Sequence, residues 1–222
     1  MQKELNPTIE KQITLDWQGE NLGLGIYKPR HLLRRSGPLL VGVCLDRNSS
    51  ADKYMPTFHV HCLCAPFLCV SLTLSSQLRT ERTEAPDFIE VRWHHEKYKE
   101  ASARMHRQCL LPLTGDLTLT QVLDAYRAYM STAMGRLTRM RLYKDVILIS
   151  VHVGDLRRAS TLLDEAIQST TDDAAFKHVG GRSQFSMDCR NAIDSPEITK
   201  QFVLRQIDAL KLSKLPFSQL LP

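Results

Sequence analysis

The chain has 222 residues, of which 43% are hydrophobic and 24% are charged. These values are typical of a globular protein that buries its core without disulfides, and they exclude a largely disordered chain. The formal net charge of +5 allows an acidic partner, but a dedicated nucleic-acid-binding protein usually concentrates more positive charge on one face.

Cysteine use and the distribution of apolar residues indicate the compartment. The chain has six cysteines, and four of them lie in apolar, strand-like runs, where a free thiol behaves as a small hydrophobic group. The first ten residues lack the apolar run of a signal peptide, and the apolar region at 58–74 is too polar to span a membrane. We therefore expect reduced cysteines, no membrane segment and a cytoplasmic location.

The first half of the chain is dominated by strand patterns. Near its start, Leu5, Ile9 and Ile13 recur at helical spacing, which indicates a short helix or an extended arm at 1–13. Alternating apolar residues then predict strands separated by polar loops, and such strands favour an antiparallel sheet. These strands are at 39–45, 58–64, 68–75 and 88–93.

The second half of the chain is dominated by helix patterns. Thr118 and Gln121 fit a capping box, and Ser195 followed by Pro196 is typical of a helix start. Two strands are expected among these helices, a buried β-branched strand at 146–153 and a short one at 184–189. The predicted helices are at 96–108, 118–134, 155–169 and 196–212.

These elements predict the fold class and the domain organisation. Strands in the first half followed by helices in the second favour an α+β fold, with a mostly antiparallel sheet packed by about four helices. The length fits a single domain of residues 1–222, and the alternative is a boundary near 110–117.

The segment Phe58–Cys64 has the strongest chemical signature in the chain. Because successive strand side chains point to opposite faces, His59 and His61 share one face and Cys62 lies on the other. Zinc accepts imidazole nitrogens, so the two histidines could bind one ion with help from His94 and His95. In the alternative, the cysteine face lies in the core and the histidine face meets solvent or another chain.

Established motifs do not decide between these two interpretations. The chain has no paired C-x-x-C, no H-E-x-x-H, no Gly-x-Ser-x-Gly elbow and no Walker A sequence. The tripeptide Gly180-Gly181-Arg182 could bind an anion, but it is more often a turn. We therefore expect no cofactor, with zinc as the alternative, and we lean against an enzyme.

Clusters of basic residues are candidates for a partner-binding surface. If the clusters meet in space, they can bind an acidic protein or nucleic acid; otherwise they are solvated faces of helices and loops. The candidate residues are Lys28, Arg30, Arg34, Arg35, Arg136, Arg139 and Arg141.

Three functions stay open from the sequence. The first is a non-enzymatic intracellular protein-binding module, such as a bacterial immunity, antitoxin or defence-accessory protein. The second is a metal-dependent hydrolase that uses the strand with His59 and His61. The third is a nucleic-acid-binding protein that uses the basic clusters. Another protein is thus the expected partner, and nucleic acid is the alternative.

Overall fold

The computed structural model describes residues 5–222, and most of its strands form one sheet. Five strands are antiparallel neighbours in the order β1-β2-β3-β4-β5, β6 pairs with β4, and β8 runs parallel to β2. Strands β7 and β9 form a separate parallel pair. The strands are β1 (Gly25–Lys28), β2 (His31–Ser36), β3 (Leu39–Arg47), β4 (Lys53–Cys62), β5 (Leu74–Gln77), β6 (Ile89–Glu90), β7 (Leu117–Thr118), β8 (Phe217–Ser218) and β9 (Leu220–Leu221).

Helix α1 precedes the sheet along the chain, the other helices follow β6, and β8 returns to the sheet after the last helix. The predicted helices are present as α2, α3 with α4, α6 and α8, and the α+β class is confirmed. Two 3₁₀ helices cover Val91–Trp93 and Asp173–Val179. The α-helices are α1 (Pro7–Glu20), α2 (His94–Gln108), α3 (Leu119–Met130), α4 (Ala133–Leu137), α5 (Arg139–Val153), α6 (Leu156–Gln168), α7 (Arg182–Asp194) and α8 (Pro196–Ala209).

Local capping explains where several helices begin. The Asn6 side chain accepts a hydrogen bond from the Ile9 amide at 3.0 Å, so a helix forms where a helix or an arm was expected. Residues 1–4 of that prediction lie outside the described residues. The capping box of Thr118 and Gln121 is confirmed at the start of α3. Ser195 precedes α8 as expected, but its side chain makes no capping hydrogen bond.

The strand predicted at 146–153 is wrong, because these residues form the second half of α5. Residues 146–151 are all buried, and a fully buried helix gives the same uninterrupted apolar run as a buried strand. The strand predicted at 184–189 is likewise part of α7.

The other predicted strands differ in length from the observed ones. The strands at 39–45 and 58–64 correspond to β3 and β4. Only the end of the predicted strand at 68–75 pairs, because β5 begins at Leu74. The strand predicted at 88–93 is reduced to the two residues of β6.

Side chains along β3 and β4 alternate between the two faces of the sheet. On the core face, Val43 lies beside Phe58 and Val41 beside Val60. The Tyr54 hydroxyl, on the same face, accepts a hydrogen bond from Trp17 of α1 at 3.2 Å. On the histidine face, which includes His59 and His61, Gly42 lies beside His59.

Arg34 connects the sheet to the two segments that flank the helical half. Its side chain is buried, and the guanidinium donates to the carbonyls of Gly115 and Pro112 at 2.6 and 2.8 Å. It also donates to the Ser218 hydroxyl in β8 at 2.6 Å. No helix between residues 5 and 222 is long and apolar enough to cross a membrane.

Gly42 provides a test of how closely β2 and β3 pack. A Cβ atom at this position would lie 1.9 Å from the Leu32 carbonyl oxygen, so the backbone must shift to accept one. We expect Gly42→Ala to lower the free energy of unfolding by about 1–3 kcal/mol, as overpacking does. Gly19→Ala is the control, because its Cβ would meet nothing within 4 Å. Urea unfolding of both variants tests this, and equal stability of the two would contradict it.

Candidate functional site

The histidine face of β4 is buried rather than open to solvent or to another chain. His59 and His61 have no exposed surface, and neither do Phe58, Val60 and Cys62, with which they alternate. The sequence pattern assigned only the cysteine face to the core. Both faces of the strand are covered, so imidazoles on it must be neutral or paired.

His59 shares a hydrogen bond with a histidine from the neighbouring hairpin. The Nε2 atoms of His31 and His59 are 2.7 Å apart, so one of them carries a hydrogen and the other accepts it. Burial lowers the pKa of His31 to about 4, and burial together with His31 and His61 lowers the pKa of His59 well below its ordinary value. The pair is therefore neutral at neutral pH.

His61 is covered by the loop that follows β4. Its Nδ1 atom accepts a hydrogen bond from the Ser71 amide at 3.2 Å and lies 3.0 Å from the Ser71 hydroxyl. The Phe67 ring packs edge-on against the imidazole at 4.9 Å. Burial, with a smaller effect from Arg141, lowers the pKa of His61 to about 4.

His94 lies on the core face, away from the other two predicted ligands. Its Nδ1 atom is 2.7 Å from the Tyr54 hydroxyl, and its Nε2 atom is 2.9 Å from a carboxylate oxygen of Asp16. His95 is beside it and is exposed. The four predicted metal ligands are therefore not one cluster: His59 is next to His31, whereas His94 and His95 are next to Asp16.

Most of the candidate basic residues at 28–35 stabilise the fold. Arg34 is buried in the hydrogen bonds described above. Arg30 forms an ion pair with Glu10 at 3.2 Å, and Arg35 lies over the Phe217 ring at 5.0 Å. The exposed members of the predicted surface are Lys28, Arg136 and Arg139.

Arg141 is the predicted basic residue with the most distinctive surroundings. It is half-buried, and its guanidinium lies 4.2 Å from the centre of the Phe67 ring. Among residues 5–222 it makes no side-chain hydrogen bond and no ion pair. A guanidinium carries five N–H donors, so this one can bind an incoming acceptor without breaking an existing bond.

A cavity of about 790 Å³ lies beside Arg141. Its walls come from the loop at 64–67, the 3₁₀ helix Asp173–Val179, α5, α7 and α8. This volume is typical of a ligand site, and so is a mainly apolar wall with a few polar groups. The apolar lining residues include Phe67, Leu148, Val179, Ile198 and Phe202, and the polar ones include Arg141, Lys144, Asp145 and Asp188.

Asp145 is the most strongly perturbed acid in this cavity wall. Only 1% of its surface is exposed, and its Oδ2 atom has no hydrogen-bond partner within residues 5–222. Burial raises the pKa of Asp145 to about 7, although Arg141 and Lys144 act in the opposite direction. Near neutral pH the carboxyl group can therefore either donate or accept a hydrogen bond.

The other charges at the cavity are paired with one another. The Lys144 ammonium donates to one oxygen of Asp188 at 2.6 Å, and the Gln184 amide donates to the other at 2.6 Å. Arg182, from the tripeptide that was more often expected to be a turn, lies outside the cavity lining and is bound to Asp173 at 2.6 Å. Arg141 thus remains the cation available to a ligand in this wall.

Sequence reasoning found Arg141 but missed Asp145. Asp145 lay outside the helices and strands predicted from the sequence, so its position on a buried helix face was not recognised. On a helix, Arg141 and Asp145 are four residues apart and share a face, which is the signal that could have found the site.

A scan against protein-family models and searches of curated proteins and of solved structures found no match for this chain.

His61 should make stability depend on pH. The unfolded chain takes up a proton on this residue below about pH 6.5, whereas the folded protein does so only near pH 4. We expect the fall in pH from 7 to 4 to remove on the order of 2 kcal/mol of stability through His61. The free energy of unfolding, measured with urea, should change less with pH in His61→Gln than in the wild type. In His106→Gln, at an exposed position in α2, it should change with pH as in the wild type.

Asp145 should have the opposite pH dependence. Its folded-state pKa is raised from 3.8 to about 7. Its contribution to the free energy of unfolding is therefore present at low pH and is lost as the pH rises towards 7. We expect the wild type to lose about 1 kcal/mol per pH unit relative to Asp145→Asn between pH 4 and 7. The exposed Asp164→Asn is the control. A constant difference between wild type and Asp145→Asn across this range would show that Asp145 ionises normally.

Proposed function

We propose that this protein is a non-enzymatic binding module whose cavity receives a segment of another protein. The observation that carries the proposal is Arg141, a cation in the cavity wall with the Phe67 ring on one side and no ion pair within residues 5–222. A guanidinium binds carboxylate and phosphate groups, and of these two a carboxylate is the one that an unmodified protein segment carries. The expected segment therefore carries an acidic side chain or a terminal carboxylate.

Apolar surface around the cavity favours a protein segment over a small molecule. Ile198 lines the cavity and is 63% exposed, and Leu68, next to Phe67 in the chain, is fully exposed. Large exposed apolar side chains beside a cavity are typical of surfaces that a protein partner covers. The partner segment should therefore present apolar side chains near its carboxylate.

The buried carboxyl group of Asp145 adds a second recognition element. Its Oδ2 atom has no hydrogen-bond partner within residues 5–222 and is buried in the wall, so a segment that displaces the side chains covering it can donate an amide hydrogen to it when the group is ionised. Satisfying a buried polar group is favourable because leaving it unpaired costs about 1–3 kcal/mol. The cavity thus offers a donor at Arg141 and an acceptor at Asp145.

The two alternative functions gain less from the geometry. His59 and His61 are buried, and each has one ring nitrogen bonded to a protein atom and one buried nitrogen without a partner within residues 5–222. Arg30 and Arg34 are engaged within the fold. The proposal is therefore the binding of a protein segment.

Site-specific photo-crosslinking in the source cell tests the proposal. A photoreactive phenylalanine analogue replaces Phe202 in the cavity wall, and a matched protein carries it at Trp93, an exposed aromatic residue outside the cavity lining. We expect a discrete protein adduct from position 202 that is absent from position 93. Arg141→Gln should abolish the adduct, because it removes the charge that binds the carboxylate.

Arg139→Gln is the control, because Arg139 is exposed at the start of the same helix and does not line the cavity. With the identified partner purified, Arg141→Gln should weaken binding at least tenfold, or about 1.4 kcal/mol, and Arg139→Gln should change it little. Equal loss in both variants would indicate a diffuse basic surface instead of this cavity. No adduct at position 202 would contradict the proposal.

A further inference from the structure

Three side chains with metal-binding atoms meet between α1 and the start of α2. They are Asp16, His94 and His95, and one ligand atom from each lies within 4.8 Å of the other two. Asp16 Oδ2 is 2.9 Å from His94 Nε2 and 3.9 Å from His95 Nδ1. The cluster lies apart from the Arg141 cavity, and the proposed function does not use it.

Two of the three ligands are held in place by neighbouring hydrogen bonds. Trp17 donates to the Tyr54 hydroxyl at 3.2 Å, and that hydroxyl lies 2.7 Å from His94 Nδ1. Gln12 donates to the other oxygen of Asp16 at 2.8 Å, which leaves Oδ2 directed at the histidines. Partners of this kind orient ligands in metal sites and reduce the entropy lost on binding.

We infer that Asp16, His94 and His95 form a binding site for a borderline divalent cation, of which Zn²⁺ is the probe. Two imidazole nitrogens and one carboxylate oxygen suit Zn²⁺ and its neighbours in the first transition row, whereas Mg²⁺ and Ca²⁺ prefer oxygen ligands alone. A cavity of about 230 Å³, which both histidines line, leaves room for water to complete the coordination.

The proton on His94 must move when the cation binds. In the structure, the Tyr54 hydroxyl accepts from Trp17 and so donates to His94 Nδ1, which places the imidazole hydrogen on Nε2, facing Asp16. The cation takes the place of that hydrogen at Nε2, and the hydrogen moves to Nδ1, from which it is donated to the Tyr54 oxygen. The Tyr54 hydroxyl hydrogen then turns away from His94, so the bond that Tyr54 donated is given up and the hydroxyl accepts from both Trp17 and His94. The imidazole stays neutral and no other group changes its charge.

Two features oppose the cation and should keep the affinity moderate. The N-terminus of α2 carries a partial positive charge, and Arg92 lines the same cavity. Glu90 pairs with Arg92 at 2.6 Å, and the Asp16 carboxylate offsets the helix terminus. His95 is exposed and can turn its imidazole toward the cation at little cost.

Metal titration of the untagged chain of residues 1–222 tests this inference. Zn²⁺ binding is measured by calorimetry, and Co²⁺ binding by the visible absorption of the bound ion. We expect one ion per chain, at least tenfold weaker binding in His95→Ala and Asp16→Asn, and unchanged binding in His106→Ala. His106 is the matched control, because it is an exposed histidine in the last turn of the same helix.

His95 is 73% exposed on its side chain, so its removal should leave the fold intact, and circular dichroism of His95→Ala checks this. Absence of Zn²⁺ binding by the wild type would overturn the inference. Binding that His95→Ala and Asp16→Asn leave unchanged would also overturn it. So would a thiolate-to-cobalt charge-transfer band, because it would place the ion at a cysteine.

Discussion

Strand β4 imposes the constraint on which the rest of the structure depends, because both of its faces are buried. A polar side chain on such a strand must be hydrogen-bonded or lose its charge, since an unpaired buried charge is too costly. The strand meets this constraint differently on each face. Tyr54, on the core face, accepts from Trp17 and bonds to His94, while His59 and His61, on the other face, bond to His31 and to the loop at 63–73.

The same constraint extends from β4 to the cavity. His61 packs against Phe67, and Phe67 in turn supports Arg141, so the buried histidine face and the cavity wall share one aromatic ring. Burial raises the pKa of Asp145 to about 7, which lowers its negative charge near neutral pH, and Lys144 is paired with Asp188. Arg141 is the cation that remains available. The proposed binding role rests on this difference, because Lys144 already has a charged partner and Arg141 has none within residues 5–222.

Local patterns could be predicted from the sequence, and long-range partners could not. The capping box of Thr118 and the apolar alternation of β3 and β4 involve only residues that are close together in the sequence, so they identified the correct elements. The run at 146–153 failed because burial on all sides removes the helical period. Partners of His59 and His94 are 28 and 78 residues away in the chain, and only the folded arrangement brings them together.

The central claim is that burial shifts the pKa values of His61 and Asp145 so that each favours its neutral form, and an NMR titration of these two side chains tests it most directly. The chemical shifts of the His61 imidazole and the Asp145 carboxyl group would be followed from pH 8 to pH 4. The account predicts that Asp145 titrates with a midpoint near 7 and that His61 stays neutral until about pH 4. Midpoints near the ordinary values of 3.8 for Asp145 and 6.5 for His61 would contradict it.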